Sequence, residues 1–360
     1  MATATATKTK IQHKGRVTRT VRDVYAEITT KMIAALKGGK IPWHKPWRVT
    51  GLGSGCGPVS LATGKLYRGI NVYLLMLAAQ EKGYRTDAWG TFNQMAELAG
   101  MVRTEINGRV KYLSPTLPDG TVDPTPRGVR KGERSTEIVF WKILKKEEWD
   151  ETKGKNVTKT IPLLRFFHVF NMDQCEFPEG TKGARIMDRL AHQPEVTPAE
   201  RDEVAESLLA NYLATGPSLG HGGDSAHYVP AADHIQMPKV EDFDSSEHYL
   251  STLYHEVTHS TGHDSRLKRE GIAKGTFGGF GSKVYSEEEL VAEMGASMLC
   301  AIADVEQAAI FDNSVAYIQH WISKLEQDDK LIIRAAAQAQ KAVDLVLGTT
   351  FDDEEEGGES

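Results

Sequence analysis

Residues 254–263 read Tyr-His-Glu-Val-Thr-His-Ser-Thr-Gly-His, and at their core His255, Glu256, Val257, Thr258 and His259 form the pattern H-E-x-x-H. On an α-helix, side chains four apart share a face, so both imidazoles can aim at one metal ion. Glu256 then reaches the open side of that ion, where a carboxylate can take a proton from an attacking water and pass it to a leaving amine. The pattern works only on a helix, and the surrounding segment predicts one over 248–261. Tyr249, Leu250, Leu253, Tyr254 and Val257 recur there at helical spacing and offer an apolar face.

Two histidines do not complete a catalytic site, which usually has three protein ligands and one open position. His263, a downstream histidine or a carboxylate on a following helix can supply the third. The longer pattern H-E-x-x-H-x-x-G-x-x-H is excluded, because Gly262 is present but Ser265 stands at the last position. The segment 285–299, YSEEELVAEMGASML, reads as a helix with Ser286 as its N-cap. Glu289 and Glu293 lie four apart on it, beside Ala292 and Ala296, whose small size would let this helix approach the first closely. We take Glu289 as third ligand and Glu293 as the acid that orients a ligand histidine. The reverse assignment is the alternative, and a solvated helix face is the ordinary reading of such acids. Zinc suits this donor set, with manganese or cobalt possible. Tyr228, His227 and Tyr285 are candidates for stabilising an oxyanion. The stretch 227–238 reads as an edge strand and turn, which could hold an extended peptide.

A chain of 360 residues with 40% hydrophobic and 26% charged content predicts a soluble protein of two domains. No apolar run approaches the length of a membrane span or a signal peptide. Cys56, Cys175 and Cys300 are scattered without metal-ligand spacing, as expected of reduced thiols in the cytoplasm. The net charge of −6 hides an asymmetry: residues 1–170 hold 29 Lys and Arg against 14 Asp and Glu, the rest 14 against 35. The acidic tail accounts for only part of it. Such a division predicts two modules with different partners, the basic one facing a polyanion.

Both modules read as α+β. The expected order is a flexible basic arm (1–19), a first module (20–178) with an insertion at about 103–127, a linker (179–198), a second module (199–348) and a disordered acidic tail (349–360). Helices are expected at about 20–37, 70–82, 91–99, 200–214 and 286–302, with a C-terminal pair over 312–347. STEIVFWKILK and LLRFFHVFN read as strands.

In the basic half, aromatics and cations interleave: IPWHKPWR at 41–48, KLYRGINVYLL at 65–75 and RGVRKGERS at 127–135. Aromatic stacking with phosphate contacts holds single strands, whose bases expose faces that a duplex hides. Trp43, Lys45, Trp47, Arg48, Tyr67, Arg68, Asn71, Arg130 and Lys131 are the candidates, whereas Trp89, Phe92, Phe140 and Phe166 are expected in a core.

The succession PWHKPW, LATGKLYRGINVYLL, WGTFNQMAELAG, VRKGERSTEIVFWK and FHVFNMDQ resembles the N-terminal domain of ArdC-type antirestriction proteins, shared with some plasmid primase-associated proteins. YVPAADHIQMP, YHEVTHSTGHDSRL and YSEEELVAEMGASML are similar to their zincin-like metallopeptidase domain. The resemblance covers most of residues 20–302, and the residues at about 103–127 depart from it. It implies a single-stranded-DNA-binding domain and a zinc site of His255, His259 and a glutamate of the EELVAE segment. It also implies protection of incoming mobile-element DNA from host restriction, with a restriction component as a possible peptide substrate. The alternative is a protein that coats DNA or occupies a restriction enzyme, its metal site structural or inactive.

Overall fold

A computed structural model describes residues 23–43, 57–150, 154–192, 198–273, 283–305 and 315–349. The basic arm, nearly all of the acidic tail, and Lys45, Trp47 and Arg48 lie outside them.

The first module opens with α1 (Val24–Lys37), capped by the Asp23 carboxylate, which accepts from the amides of Tyr25 and Ala26. Strand β1 (Val59–Ser60), helix α2 (Ile70–Lys82), strand β2 (Ala88–Gly90) and helix α3 (Phe92–Leu98) follow. Thr91 and Gln94 close a capping box at the start of α3. The segment expected to be an extended insertion contains a hairpin, β3 (Val102–Ile106) and β4 (Arg109–Leu113). Asn107 and Gly108, both at positive φ, make its two-residue turn. After β5 (Gly128–Val129), strands β6 (Thr136–Asp150) and β7 (Lys155–Asn171) form a long antiparallel hairpin. Its base joins a sheet of order β1-β2-β7-β6. Strand β8 (Cys175–Glu176) pairs with β5.

The stretch expected as a linker is partly a helix, α4 (Lys182–Ala191). Thr181 caps it, and Ile186 and Leu190 bury against Ala88, Met95 and Met172 of the first module. Its amphipathic spacing outweighs the flanking glycines and prolines that suggested a connector.

The second module has α5 (Pro198–Thr215), strands β9 (Ser218–His221), β10 (His227–Val229) and β11 (His234–Met237), and helices α6 (Ser246–Ser260) and α7 (Lys283–Ile302). Helices α8 (Val315–Gln327) and α9 (Leu331–Leu347) complete it. Strand β11 lies between antiparallel β10 and parallel β9, and α6 packs beside it. Both modules are thus α+β, as expected.

The modules share one apolar core. Ile28, Met32 and Leu36 of α1 and Tyr73 and Leu77 of α2 belong to the same buried cluster as Leu253 of α6, Leu299 of α7, Trp321 of α8 and Ile332 of α9. Polar contacts cross with it: Tyr73 donates its hydroxyl to the Met294 carbonyl at 2.8 Å, and Arg68 makes a two-pronged ion pair with Asp344. No helix among the described residues is long and apolar enough to cross a membrane.

Candidate metal centre

Helix α6 begins where Ser245 accepts from the His248 amide, with Glu247 in a first turn that favours negative charge. Leu250, Leu253, Tyr254 and Val257 bury its inner face, and the Tyr254 hydroxyl bonds the Ala205 carbonyl at 3.0 Å. That anchoring fixes the rotation of the helix, so His255 and His259 emerge together. Helix α7 lies against it through Gly295, where an added Cβ would stand 2.5 Å from the Thr258 methyl. Ala292 and Ala296 are fully buried on the same helix, as their size led us to expect.

The close approach brings Glu289 to the histidine pair. The Nε2 atoms of His255 and His259 are 3.1 Å apart, and the Glu289 carboxylate lies 3.5 Å from the first and 3.6 Å from the second. A tetrahedral ion with bonds of about 2.0–2.1 Å holds its donors roughly 3.3 Å apart. The donor spacing therefore fits a divalent metal. Among the described residues these three are the one group of His, Cys, Asp or Glu gathered this way. His263 instead turns its Nδ1 to Ser265 at 2.8 Å, beyond the end of α6.

The acid against a ligand histidine is Glu288, not Glu293 as expected. Its carboxylate sits 3.2 Å from His259 Nδ1, and Arg269 holds both of its oxygens, at 2.9 and 2.6 Å. Arg269 also donates to the Thr261 hydroxyl and the Thr258 carbonyl, tying the turn after α6 to α7. Glu293 points to a different pair of donors: Trp43 Nε1 at 2.8 Å and the Tyr317 hydroxyl. Glu288 and Arg269 escaped the sequence reading. The run Glu287-Glu288-Glu289 gave a signal for the first, but choosing among adjacent acids requires the rotation of α7. Nothing in the spacing marks Arg269.

The electrostatics favour positive charge between these groups. Burial alone would lower the His259 pKa, but the Glu288 hydrogen bond and the charges of Glu289, Glu288 and Glu256 raise it to about 9. Against its burial, Glu289 is held at about 2 by its hydrogen bond to His255 and the charges of both histidines. Glu288 is likewise depressed despite burial, chiefly by Arg269. Protons or a metal ion can meet the same demand. Tyr285, one turn before Glu289, has its hydroxyl pKa raised by burial and by Glu289, to which it hydrogen-bonds, and by Glu256. It is thus the oxyanion candidate that reaches this centre. Tyr228 is engaged by Asp233 at 2.8 Å, and His227 lies exposed on β10.

Two domain families match the sequence: the N-terminal domain of anti-restriction factor ArdC over residues 22–170, and a zincin-like metallopeptidase over 203–338. The chain is 30% identical to protein y4eC of Sinorhizobium fredii over 329 residues, covering 91% of this chain and 93% of that protein. It is similar along its length to the crystal structure of the antirestriction ArdC protein from plasmid R388. The metal-free form superposes with a TM-score of 0.63 at 32% identity, covering 90% of this chain and 97% of that one.

The chain belongs to the ArdC-type antirestriction family. The Mn(II)-bound form of R388 ArdC matches with a TM-score of 0.62 at 31% identity, covering 91% of this chain and 98% of the other. DNA primase TraC of Escherichia coli is 31% identical over 337 residues; these are 90% of this chain but only 27% of the primase. An ArdC-type unit thus also occurs within a much longer protein.

The expected DNA-contact residues fare unevenly within this ArdC-type fold. Trp43 is fully buried on Glu293, Asn71 is buried with both ends of its amide bonded to the Val139 backbone, and Arg68 is spent on Asp344. Tyr67 is half-buried against the core of Leu75 and Trp89. Trp43, Tyr67 and Arg68 sat among polar or turn residues in sequence, but Trp43 and Arg68 meet carboxylates far along the chain, Glu293 and Asp344. Arg130 and Lys131 are exposed.

Proposed function

We propose that the protein is an antirestriction factor that binds single-stranded DNA and hydrolyses a peptide bond at a zinc ion held by His255, His259 and Glu289. The observation that carries the reading is the spacing of those three donors, with Glu256 on the same helix. Bound there, the metal would supply Lewis acidity to a peptide carbonyl. Glu256 takes the proton of the attacking water and delivers it to the leaving amine. Glu288, braced by Arg269, fixes the ring of His259. The Tyr285 hydroxyl donates to the oxygen that gains charge in the transition state. A host restriction component is the peptide substrate this reading points to, and the cytoplasm, where restriction acts, is the setting it requires.

The match of residues 22–170 to the ArdC N-terminal domain and the basic balance of that half support the DNA-binding part. The decisive comparison is Glu256→Gln against wild type for metal content, peptide hydrolysis and protection of transferred DNA. We expect about one zinc per chain in both and hydrolysis reduced by roughly 10²-fold or more in the variant. Undiminished protection by that variant would replace the peptidase reading with that of a DNA-coating or enzyme-occupying protein.

A further inference from the structure

The first module carries a second opening remote in sequence from the metal ligands. A cleft of about 430 Å³ is lined by Lys82, Tyr84, Arg85, Arg130, Glu133 and Asp173. Helix α2 ends at Gly83, whose φ of 67° is left-handed. The glycine lets the chain turn sharply and deliver Tyr84 and Arg85 to the cleft. The Tyr84 ring packs edge-on against buried Trp89, with centroids 5.8 Å apart.

The acids of the cleft are engaged in its frame. Asp173 accepts from the backbone amides of Arg85 and Thr86, holding the turn in place. Glu133 accepts from Gln174 at 3.0 Å and from Arg130 at 3.2 Å. Arg130 also donates to the Asp173 and Cys175 carbonyls and stands 3.7 Å from Glu176. The outer cations are freer. Lys82 makes no ion pair among the described residues, and the Arg85 side chain is 84% exposed, with only a 3.4 Å approach to Asp173. Lys131 and Arg134 are exposed just beyond Arg130.

A cleft with exposed cations at the rim and an anchored aromatic inside suits a ligand that joins an anion to a flat ring. We infer that it seats a nucleotide of single-stranded DNA, with the phosphodiester against Lys82 and Arg85 and the base against Tyr84. The inference rests on the DNA-binding reading above and gives it a location. A duplex keeps its base faces stacked and gains nothing from Tyr84, so the site favours single strands.

The test uses the full chain and a fluorescent oligodeoxythymidine of about 12 nucleotides, read by anisotropy across a salt series. Lys82→Glu/Arg85→Glu should weaken binding about tenfold or more and flatten the log–log salt slope by about 1.4. Tyr84→Leu should weaken it about fivefold or more with the slope unchanged. Unchanged thermal melting of the double variant keeps the loss from being one of folding. Wild-type-like binding by the double variant would overturn the cleft but leave the DNA-binding reading intact. Absence of any binding by wild type would remove both. An equal loss in Lys239→Glu, on the other module, would reduce the effect to overall charge. Equal competition by thymidine monophosphate would make the cleft a mononucleotide pocket and overturn its assignment to a strand.

Discussion

The indole of Trp43 donates to the carboxylate of Glu293 at 2.8 Å, across 250 positions of sequence. Trp43 ends the described part of the segment following α1, while Glu293 lies one turn beyond Glu289, the proposed third ligand. The basic module therefore places a buried donor directly on the helix that completes the metal centre.

Trp43→Phe removes that donor while keeping an aromatic ring in the core. Glu293 then keeps only the Tyr317 hydroxyl of this pair, and we expect a loss of about 1–3 kcal/mol. Denaturant unfolding monitored by circular dichroism measures it. A change below about 0.5 kcal/mol would mean that the bond contributes little.

Burial raises the Glu293 pKa to about 7, with Tyr317, His255 and Trp43 pulling the other way. A carboxyl raised on folding contributes stability that is fully present below its ordinary pKa, near 4.5, and lost as pH rises through about 7. Glu293→Gln should remove that dependence. Between those pH values, the fall in stability of chelator-treated protein should be smaller in the variant, by up to roughly 3 kcal/mol. Parallel stability profiles would refute the assignment.

Glu288→Gln keeps the shape beside His259 but weakens the hold on its ring. Metal affinity should fall about 10–100-fold in competition with a chelating dye. The variant also leaves Arg269 with neutral partners, so its melting temperature should drop, and affinity is best measured well below it. Unaltered affinity would assign Glu288 to Arg269 alone.

Gly295→Ala would ordinarily strengthen a helix by about 1 kcal/mol. Here the new methyl meets Thr258 and forces α6 and α7 apart, so we expect a net loss of about 1–3 kcal/mol. Adding Thr258→Ala should restore part of it, and a double-mutant cycle would show the coupling. Additive losses would place the strain elsewhere.

Helix α6 was legible because its signal is local: a four-residue spacing on an apolar repeat places His255 and His259 on one face, with Glu256 between them. Glu289 was legible from the next helix by the same periodicity. Glu288 was not, because its role depends on how α7 is turned, and the contact between Gly295 and Thr258 settles that. Trp43 was misread for a related reason. Its neighbours Pro42 and His44 are those of a surface loop, while its partners belong to helices formed hundreds of residues later. The linker misled in the opposite direction, since a threonine cap and two apolar residues sufficed to make α4 a packed element.

The common core has a consequence for how such a chain can be divided. Charge and sequence similarity both draw a boundary near residues 171–202, yet Met32, Tyr73, Leu253 and Ile332 lie in one cluster that spans it. A polypeptide severed there would expose apolar faces on both fragments, and neither has a replacement partner for the other. We therefore expect the two halves to unfold in one cooperative transition, so that the ArdC-type pair behaves as a single folding unit.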